Sequence, residues 1–280
     1  MLRQRVITAL VLLALLLPAL FASSPLPFAL FTLVLISAAG WEWARLNGAT
    51  APVPALATGA LVAGMCGASL LNLPQVGPAG GLWWAGTGVW VVGSGVVLRR
   101  GPAGWAGLSP VLRWALGPLL LWLAWLAMAQ ARTIGVNFLL SVMCVVWAAD
   151  ICAYFSGRAF GRRKLAITIS PGKSWEGVYG GVAGVLLLSL IWIGSESQFS
   201  ADSPSLFLLL RQRLGYGGLL LVASLLTALS VVGDLFESLV KRAAGAKDSS
   251  RLLPGHGGVL DRIDALLFAA PIYYVVLTYV

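Results

Sequence analysis

The sequence predicts an all-α integral membrane protein, a polytopic bundle whose helices cross the bilayer about nine times. Of its 280 residues, 59% are hydrophobic and 10% are charged, whereas soluble domains carry about 25% charged residues. The hydrophobic residues form long uninterrupted runs, and about 20 such residues cross a bilayer as a helix. These runs exclude the short alternating strands of a membrane β-barrel. Helices are then the structure that satisfies the backbone polar groups in lipid.

Nine apolar runs are the predicted membrane spans. They comprise residues 5–22, 27–46, 52–72, 82–98, 114–130, 136–156, 175–194, 215–236 and 258–280. Two other segments, 99–113 and 205–213, are too polar or too short to cross, so we expect them to lie at the membrane surface. The first run follows Arg3 and Arg5 and also resembles a secretory signal. Because residues 20–23 lack a good small-x-small cleavage site, we expect a retained helix.

The charged residues predict the orientation of the bundle. With nine crossings and a cytoplasmic N-terminus, sixteen Lys and Arg residues fall on the cytoplasmic side and three, Arg132, Arg211 and Arg213, on the other. This asymmetry follows the positive-inside rule. The same arrangement places eight of ten carboxylates at cytoplasmic helix ends and leaves Glu196 and Asp202 opposite. A carboxylate within a span costs about 2.5–3.5 kcal/mol, so their convergence predicts a functional pocket at the cytoplasmic membrane face.

Two classes of function are not supported by composition. The three cysteines, Cys66, Cys144 and Cys152, lie in apolar segments without a Cys-x-x-Cys spacing, which argues against a disulfide framework or a zinc site. The formal charge of +9 is accounted for by the topology. It therefore gives no reason to expect nucleic acid as a partner.

The densest polar stretch is residues 238–264, with nine ionisable side chains in a chain that is 10% charged. Asp261 and Asp264 are three apart at the start of the ninth span and share a helix face. Asp234, Ser238 and Lys241 share a face of the eighth span at spacings of four and three. Clustered carboxylates suit Mg²⁺, which leaves positions for water and substrate phosphates. The surrounding cations indicate a polyanionic ligand: Lys241, Arg242, Lys247, Arg251 and Arg262.

Residues 253–258, Leu-Pro-Gly-His-Gly-Gly, form a loop that lets a ligand approach the backbone before a helix opens, and the free amides of that helix favour phosphate. His256, the only histidine, is a candidate donor to a phosphate or a leaving group. Without the neighbouring motif, a turn histidine at a helix entrance would be the preferred interpretation. The basic residues alone would also suit lipid headgroups. That interpretation does not account for the acids Asp248, Asp261 and Asp264.

A second polar stretch covers residues 150–158 and 170–177. Its Gly-Lys-Ser sequence is not a Walker A motif, because Ile167 stands where the first glycine belongs and no strand is predicted before it. Lys173 and Ser174 still lie at the predicted N-terminus of the seventh span, where the helix dipole and free amides attract phosphate. Ser174 is alternatively a simple N-cap.

These motifs together resemble the signature of the CDP-diacylglycerol synthases, or phosphatidate cytidylyltransferases. The signature is Ser238, then Lys241-Arg242, then Lys247-Asp248, then His256-Gly257-Gly258 and Asp261-Arg262-x-Asp264. The stretches 150–158 and 170–177 also resemble family segments, as does Glu42-Trp43. Similarity is concentrated in residues 140–180 and 230–266. We therefore divide the chain into N-terminal spans, residues 1–135, and a catalytic region, residues 136–280.

The resemblance implies a multi-pass enzyme of the cell inner membrane that joins CTP to phosphatidic acid, giving CDP-diacylglycerol and pyrophosphate for phospholipid biosynthesis. It further implies Asp234, Asp261 and Asp264 as metal ligands, with Asp248 in the same pocket. The implied metals are Mg²⁺ and K⁺, although nothing in the sequence itself identifies potassium. A homodimer is a candidate assembly. The residues expected to hold the substrates are Asp150, Lys173, Ser174, Ser238, Lys241, Arg242, Lys247, Arg251, His256 and Arg262.

Three other functions remain open from the residues alone. A CTP-dependent polyprenol or lipid kinase would transfer the γ-phosphate to an alcohol and would need a general base. A CDP-alcohol phosphotransferase fits less well, because its aspartates are separated by three residues, whereas two separate Asp261 from Asp264. An ion-coupled transporter usually shows paired halves with broken helices. Here the polar residues gather at one end instead.

Overall fold

The computed structural model describes residues 2–71, 81–196, 198 and 200–267, and it consists of long helices and one small hairpin. The helices and strands, in chain order, are α1 (Leu2–Leu20), α2 (Leu26–Leu46), α3 (Pro52–Leu70), α4 (Gly81–Ala106), α5 (Pro110–Ile134), α6 (Val136–Phe160), β1 (Lys164–Ala166), β2 (Ser170–Ser174), α7 (Trp175–Glu196) and α8 (Leu206–Ala243). Residues 260–267 are also helical and are called α9 below.

The helices confirm the predicted class of an all-α polytopic membrane protein. Among the described residues, seven helices, α1 to α3 and α5 to α8, are long and apolar enough to cross a membrane. The predicted fourth span, 82–98, lies within α4. The predicted ninth span, 258–280, coincides with α9 at its start and otherwise lies outside the described residues. The total of nine crossings and their orientation stay predictions.

Proline and serine define where several helices begin. Proline occupies the first turn of α2, α3 and α5, where its missing N–H is not needed. The Ser109 hydroxyl caps α5 by accepting a hydrogen bond from Leu112 N, and Ser205 caps α8 in the same way. These caps satisfy amides that have no partner within the helix.

Glycine interrupts two helices near the segments predicted to lie at the membrane surface. Gly101 breaks α4 with φ 67° and ψ −167°, and Gly215 breaks α8 with φ 68° and ψ −176°. A side chain would be strained at such angles. The segment 206–214 before the second break nevertheless buries one face, through Leu206, Phe207 and Leu210. It is therefore packed against the bundle through that apolar face.

The basic connector between α6 and α7 forms a β-hairpin that the sequence did not predict. Strands β1 and β2 pair antiparallel, with Lys164 opposite Ser174 and Ala166 opposite Ser170. The Glu176 carboxylate, in the first turn of α7, accepts hydrogen bonds from the backbone N–H groups of Arg162 and Arg163 at 3.1 and 3.2 Å. The hairpin thus places β2 at the entrance of α7.

Glycines bring α7 close to α6. A Cβ atom on Gly177 or Gly181 would lie 2.9 Å from the carbonyl oxygen of Ala153 or Ala149, respectively. Spacings of four residues between small side chains are typical of closely packed membrane helices. Close packing of α6 and α7 brings the C-terminal half of α6, which carries Asp150, beside the start of α7 and the hairpin.

Candidate active site

Lys241, near the end of α8, lies between two carboxylates. Its Nζ is 2.6 Å from Asp261 Oδ1 and 2.5 Å from Glu237 Oε2. The other oxygen of Asp261 accepts hydrogen bonds from Gly258 N at 2.8 Å, Ser249 N at 2.9 Å and Ser249 Oγ at 3.0 Å. Asp261 therefore ties the end of α8 and the loop after it to the start of α9.

Glu42 of α2 supports the same loop from the other side. Its fully buried carboxylate accepts hydrogen bonds from Val259 N and Leu260 N at 2.9 and 2.8 Å. It also accepts from the hydroxyls of Ser249 and Ser250 at 3.1 and 2.6 Å. Glu42 thus caps α9 from more than 200 residues away, and the negative charge lies at the favourable end of the helix dipole. Sequence reasoning gave it no site role, although a lone carboxylate in an apolar run was a signal.

A polar cavity of about 420 Å³ opens beside this cluster. Its walls come from the ends of α6 and α8, the hairpin and the start of α7. Lys173 of β2 forms an ion pair with Asp234, and Ser238 Oγ donates a 3.3 Å hydrogen bond to the same carboxylate. The polar or charged side chains that line the cavity are Asp150, Tyr154, Arg158, Ser170, Lys173, Ser174 and Asp234.

Negative charge exceeds positive charge where the cavity meets α9. Asp264 is half-buried and interacts electrostatically with Asp234, Asp150 and Lys241. Five carboxylates, on Asp150, Asp234, Glu237, Asp261 and Asp264, thus have three cations near them, Lys173, Lys241 and the exposed Arg158. Uncompensated carboxylates are costly away from bulk water. The arrangement therefore favours an additional cation.

The described side chains offer a divalent cation only part of its coordination shell. Within the described part of the chain, no group of three or more His, Cys, Asp or Glu side chains is arranged to hold a metal ion by itself. Mg²⁺ is usually bound by one or two carboxylates, with water and substrate phosphates completing the shell. Asp234 and Asp264 meet that requirement in chemistry and charge. Asp261, also a predicted ligand, already accepts hydrogen bonds on both oxygens.

Comparison with known protein families shows to which family the chain belongs. A model of the cytidylyltransferase family matches residues 3–280. The chain belongs to this family. It is 43% identical over 98% of its length to a phosphatidate cytidylyltransferase of Pseudomonas aeruginosa, of which the match covers 96%. Proteins with the same name match about half of each chain, at 49% identity in Haemophilus influenzae and 39% in Bacillus subtilis. The resemblance inferred from the motifs is thereby confirmed.

The remaining basic residues predicted for the site of this cytidylyltransferase are exposed on the end of α8, the loop after it and the start of α9, and are called the rim. The exposed side chains are Arg242, Lys247, Arg251 and Arg262, together with Asp248. Arg242 Nη1 donates to Ala246 O at 3.2 Å, and Arg262 Nη2 donates to His256 O at 2.8 Å. These backbone contacts orient the guanidinium groups. They also leave the positive charges without a carboxylate in an ion pair among the described residues.

Two predicted substrate-binding residues have structural partners in the cytidylyltransferase fold. Ser174 Oγ accepts a hydrogen bond from Gly177 N at 3.2 Å, so it caps α7 while also lining the cavity. His256 is half-buried in a tight turn in which its backbone N donates to Leu253 O. Its Nδ1 is buried without a hydrogen-bond partner among the described atoms. Gly255 and Gly257 flank it at φ 77° and 86°.

The first helix packs on this turn. Thr8 Oγ1 donates a 3.0 Å hydrogen bond to Pro254 O. A Cβ atom on Gly255 would lie 2.8 Å from Arg5 Cγ. Helix α1 therefore packs against residues 253–258, called the signature loop below, and retention of the first apolar run stays a prediction.

Proposed function

We propose that this chain condenses CTP with phosphatidate to give CDP-diacylglycerol and pyrophosphate. The observation that carries the proposal is the charge arrangement. A cavity lined by both positive and negative side chains, with Lys173 paired to Asp234 in its wall and the basic rim beside it, lies at one end of an apolar helix bundle. A nucleoside triphosphate and a lipid phosphate both fit such a site. The names of the relatives identify the pair as CTP and phosphatidate.

In this reaction a phosphate oxygen of phosphatidate attacks the α-phosphorus of CTP. The new oxygen–phosphorus bond forms as the bond to the pyrophosphate oxygen breaks, and pyrophosphate leaves with those electrons. A phosphate is already ionised near neutral pH, so the site needs no strong base. The work of the protein is to align two polyanions and to neutralise their charge.

Residues of the cavity divide these tasks. Lys173 and Arg158 provide positive charge within the cavity, and Arg242, Lys247 and Arg251 provide it at the rim. Asp234 and Asp264 are the residues that would hold Mg²⁺, with Asp261 beside them. The metal would neutralise charge on the phosphates as the reaction proceeds. Lys241, fixed between Glu237 and Asp261, keeps the two helices in register.

We also propose that the site faces the cytoplasm and that the chain crosses the membrane nine times. The positive-inside rule supports this orientation, because sixteen of nineteen Lys and Arg residues then lie on the cytoplasmic side. Labelling of single cysteines from either side of sealed cells tests it. A cysteine at position 251 should react from the cytoplasmic side, and one at position 201 from the other.

The activity itself is tested with purified protein, CTP, Mg²⁺ and phosphatidate. CDP-diacylglycerol and pyrophosphate should form in equal amounts, and omission of either Mg²⁺ or phosphatidate should stop both. Release of CDP with a phosphorylated polyprenol would instead indicate the lipid kinase. Ion flux in proteoliposomes without CTP turnover would indicate the transporter.

A further inference from the structure

Helix α9 separates two spaces of opposite character. Asp261 and Asp264 are three residues apart and share one face, and Asp261 contacts Lys241 of α8. Arg262, Ile263 and Leu266 instead line a groove between α9 and helices α1, α2, α5 and α6. The Asp-Arg-x-Asp motif thus sends its two aspartates toward the polar cluster and its arginine toward a different compartment.

This groove, called the Arg262 groove, has a volume of about 180 Å³. Its described lining is apolar apart from Thr32 and Arg262. The hydroxyl of Thr32 donates to the carbonyl oxygen of Phe28 at 2.8 Å, so it offers little polarity to a ligand. Along α2 the lining runs from Phe28 to Ile36, which corresponds to about 12 Å of helix. The Arg262 groove is therefore an elongated apolar space with one cation.

A second apolar groove differs from the Arg262 groove in having no charged side chain in its described lining. It lies between α3 and α5, is larger at about 680 Å³, and is lined by residues such as Leu61, Met65 and Trp114. Apolar depressions on a membrane protein are ordinarily filled by lipid tails. The cation at the Arg262 groove, beside the signature loop, is what distinguishes it.

Arg262 is placed to bind an anion at this position. One of its five N–H donors is used on His256 O at 2.8 Å, and the side chain is exposed. No carboxylate forms an ion pair with it among the described residues. A guanidinium fixed in this way presents its remaining donors in the planar fork that suits a phosphate.

We propose that the Arg262 groove holds an acyl chain of phosphatidate while Arg262 binds the phosphate of that lipid, and that CTP enters from the polar cavity on the other side of α9. The inference rests on the proposed function and assigns its two substrates to separate compartments. The assignment of phosphatidate to the Arg262 groove is supported by charge complementarity. The groove is apolar and has a cation beside the signature loop, and a phospholipid has apolar chains and an anionic head. The reacting phosphates would then meet at the start of α9.

The first test separates the two substrates kinetically. In Arg262→Gln we expect the KM for phosphatidate to rise about tenfold, as for the loss of a charge-assisted hydrogen bond, while the KM for CTP changes less than about twofold. Arg262→Lys should recover part of the loss, because charge is retained without the planar fork. A rise in the KM for CTP that equals or exceeds the rise for phosphatidate would overturn the assignment.

The second test fills the groove. Met143→Trp should lower kcat/KM for a dioleoyl substrate several-fold more than for a dioctanoyl one, because the added ring occupies the space for the longer chain. Met65→Trp in the second groove is the matched control and should leave the ratio of the two substrates unchanged. If Met143→Trp does not fold, Met128→Trp fills the same groove from α5.

Failure of the acyl-chain site and failure of the proposed function would give different results. Absence of CDP-diacylglycerol with the wild-type protein would contradict the function itself. A wild-type protein that makes CDP-diacylglycerol, with groove variants that bind and turn over both chain lengths in the wild-type ratio, would contradict the acyl-chain site alone. Equal effects of Met143→Trp and Met65→Trp on chain-length preference would also contradict it.

Discussion

The two ends of the helix bundle both carry carboxylates, but the carboxylates have different partners. At the end away from the cavity, Asp202 accepts hydrogen bonds from Val136 N and Asn137 N at 2.6 and 2.9 Å. Glu196 accepts from Asn137 Nδ2 and from Ser205 through its N–H and hydroxyl. Both acids therefore cap or join helix ends, which is a structural role.

At the cavity end, some carboxylates have the same role and others do not. Glu42 caps α9 as Asp202 caps α6. Asp150, Asp234 and Asp264, in contrast, lie near one another with Lys173 and Lys241 among the nearby cations. The presence of acids at helix ends therefore does not identify a site. A site is indicated where carboxylates outnumber the nearby hydrogen-bond donors and cations, because such an excess is stable only with a further cation or a charged ligand.

The largest difference between the two ends of the bundle is expected for substitution of Asp234. Asp234→Asn should lower kcat by on the order of 100-fold or more, because charge stabilisation of the reacting phosphates is lost. The protein should still insert and elute as the wild type does in size-exclusion chromatography. Asp202→Asn, the matched change at the other end, should keep near-normal turnover. Near-normal rates in Asp234→Asn would refute the assignment.

Glu42 tests whether a structural carboxylate also supports catalysis. Glu42→Ala leaves Val259 N and Leu260 N without their acceptor and should destabilise the protein by about 2 kcal/mol or more. Thermal unfolding in detergent measures the loss, and kcat should fall with it as α9 shifts. Glu42→Gln keeps one acceptor oxygen and should therefore recover part of the thermal stability and part of the kcat. Unchanged melting and kcat in Glu42→Ala would show that α9 does not depend on this contact.

Lys173 is expected to affect binding more than chemistry. Lys173→Ala removes a cation from the polar cavity and should raise the KM for CTP about tenfold, the magnitude of a charge-assisted contact. The Mg²⁺ concentration that gives half-maximal activity should change little. Lys164→Ala, on the paired strand and outside the lining of the cavity, is the control for loss of a cation from the hairpin. An unchanged KM for CTP together with a raised KM for phosphatidate would place the lipid, not CTP, in this cavity.

The smallest expected effect is the pH dependence of stability that Asp202 contributes at the end of the bundle away from the cavity. Burial raises the pKa of Asp202, but the hydrogen bonds from Asn137 N and Val136 N outweigh it and lower the pKa below its ordinary value. The ionised form is thus favoured in the folded state, so Asp202 stabilises the fold above its unfolded pKa. This contribution is lost as pH falls through the lowered pKa.

Asp202→Asn should therefore reduce the melting temperature slightly at neutral pH. The difference from the wild type should shrink as the pH falls through the lowered pKa of Asp202. A difference that stays constant or grows on acidification would contradict the capping role.

The membrane spans were predictable because long apolar runs leave a chain in lipid few alternatives to a helix. Helices α1 to α3 and α5 to α7 begin and end within four residues of their predicted bounds, whereas α4 continues to Ala106, past its predicted end at residue 98 and across the break at Gly101. The polar pocket was also predictable in outline, because Asp234, Lys241 and Asp261 lie in adjacent helices joined by one loop. Lys173 reaches Asp234 through the hairpin, a contact between residues 61 positions apart that no local pattern specifies.

The hairpin and the role of Glu42 were not predictable from local patterns. Strands β1 and β2 are three and five residues long, too short to give a period-2 signal. Glu42 acts on Val259 and Leu260 across more than 200 residues. Its sequence neighbours describe only an amphipathic helix end. Contacts of this kind depend on which helices pack together, which hydropathy does not determine.

The central claim is that a nucleotide is joined to a lipid phosphate at the charged cavity. The most direct measurement follows CTP labelled at either the α- or the γ-phosphate through turnover with phosphatidate and Mg²⁺. The account predicts that the α-label passes into the lipid fraction, that the γ-label appears in pyrophosphate, and that Asp234→Asn slows both transfers by on the order of 100-fold or more. A γ-label in the lipid, or transfer at the wild-type rate by Asp234→Asn, would contradict it.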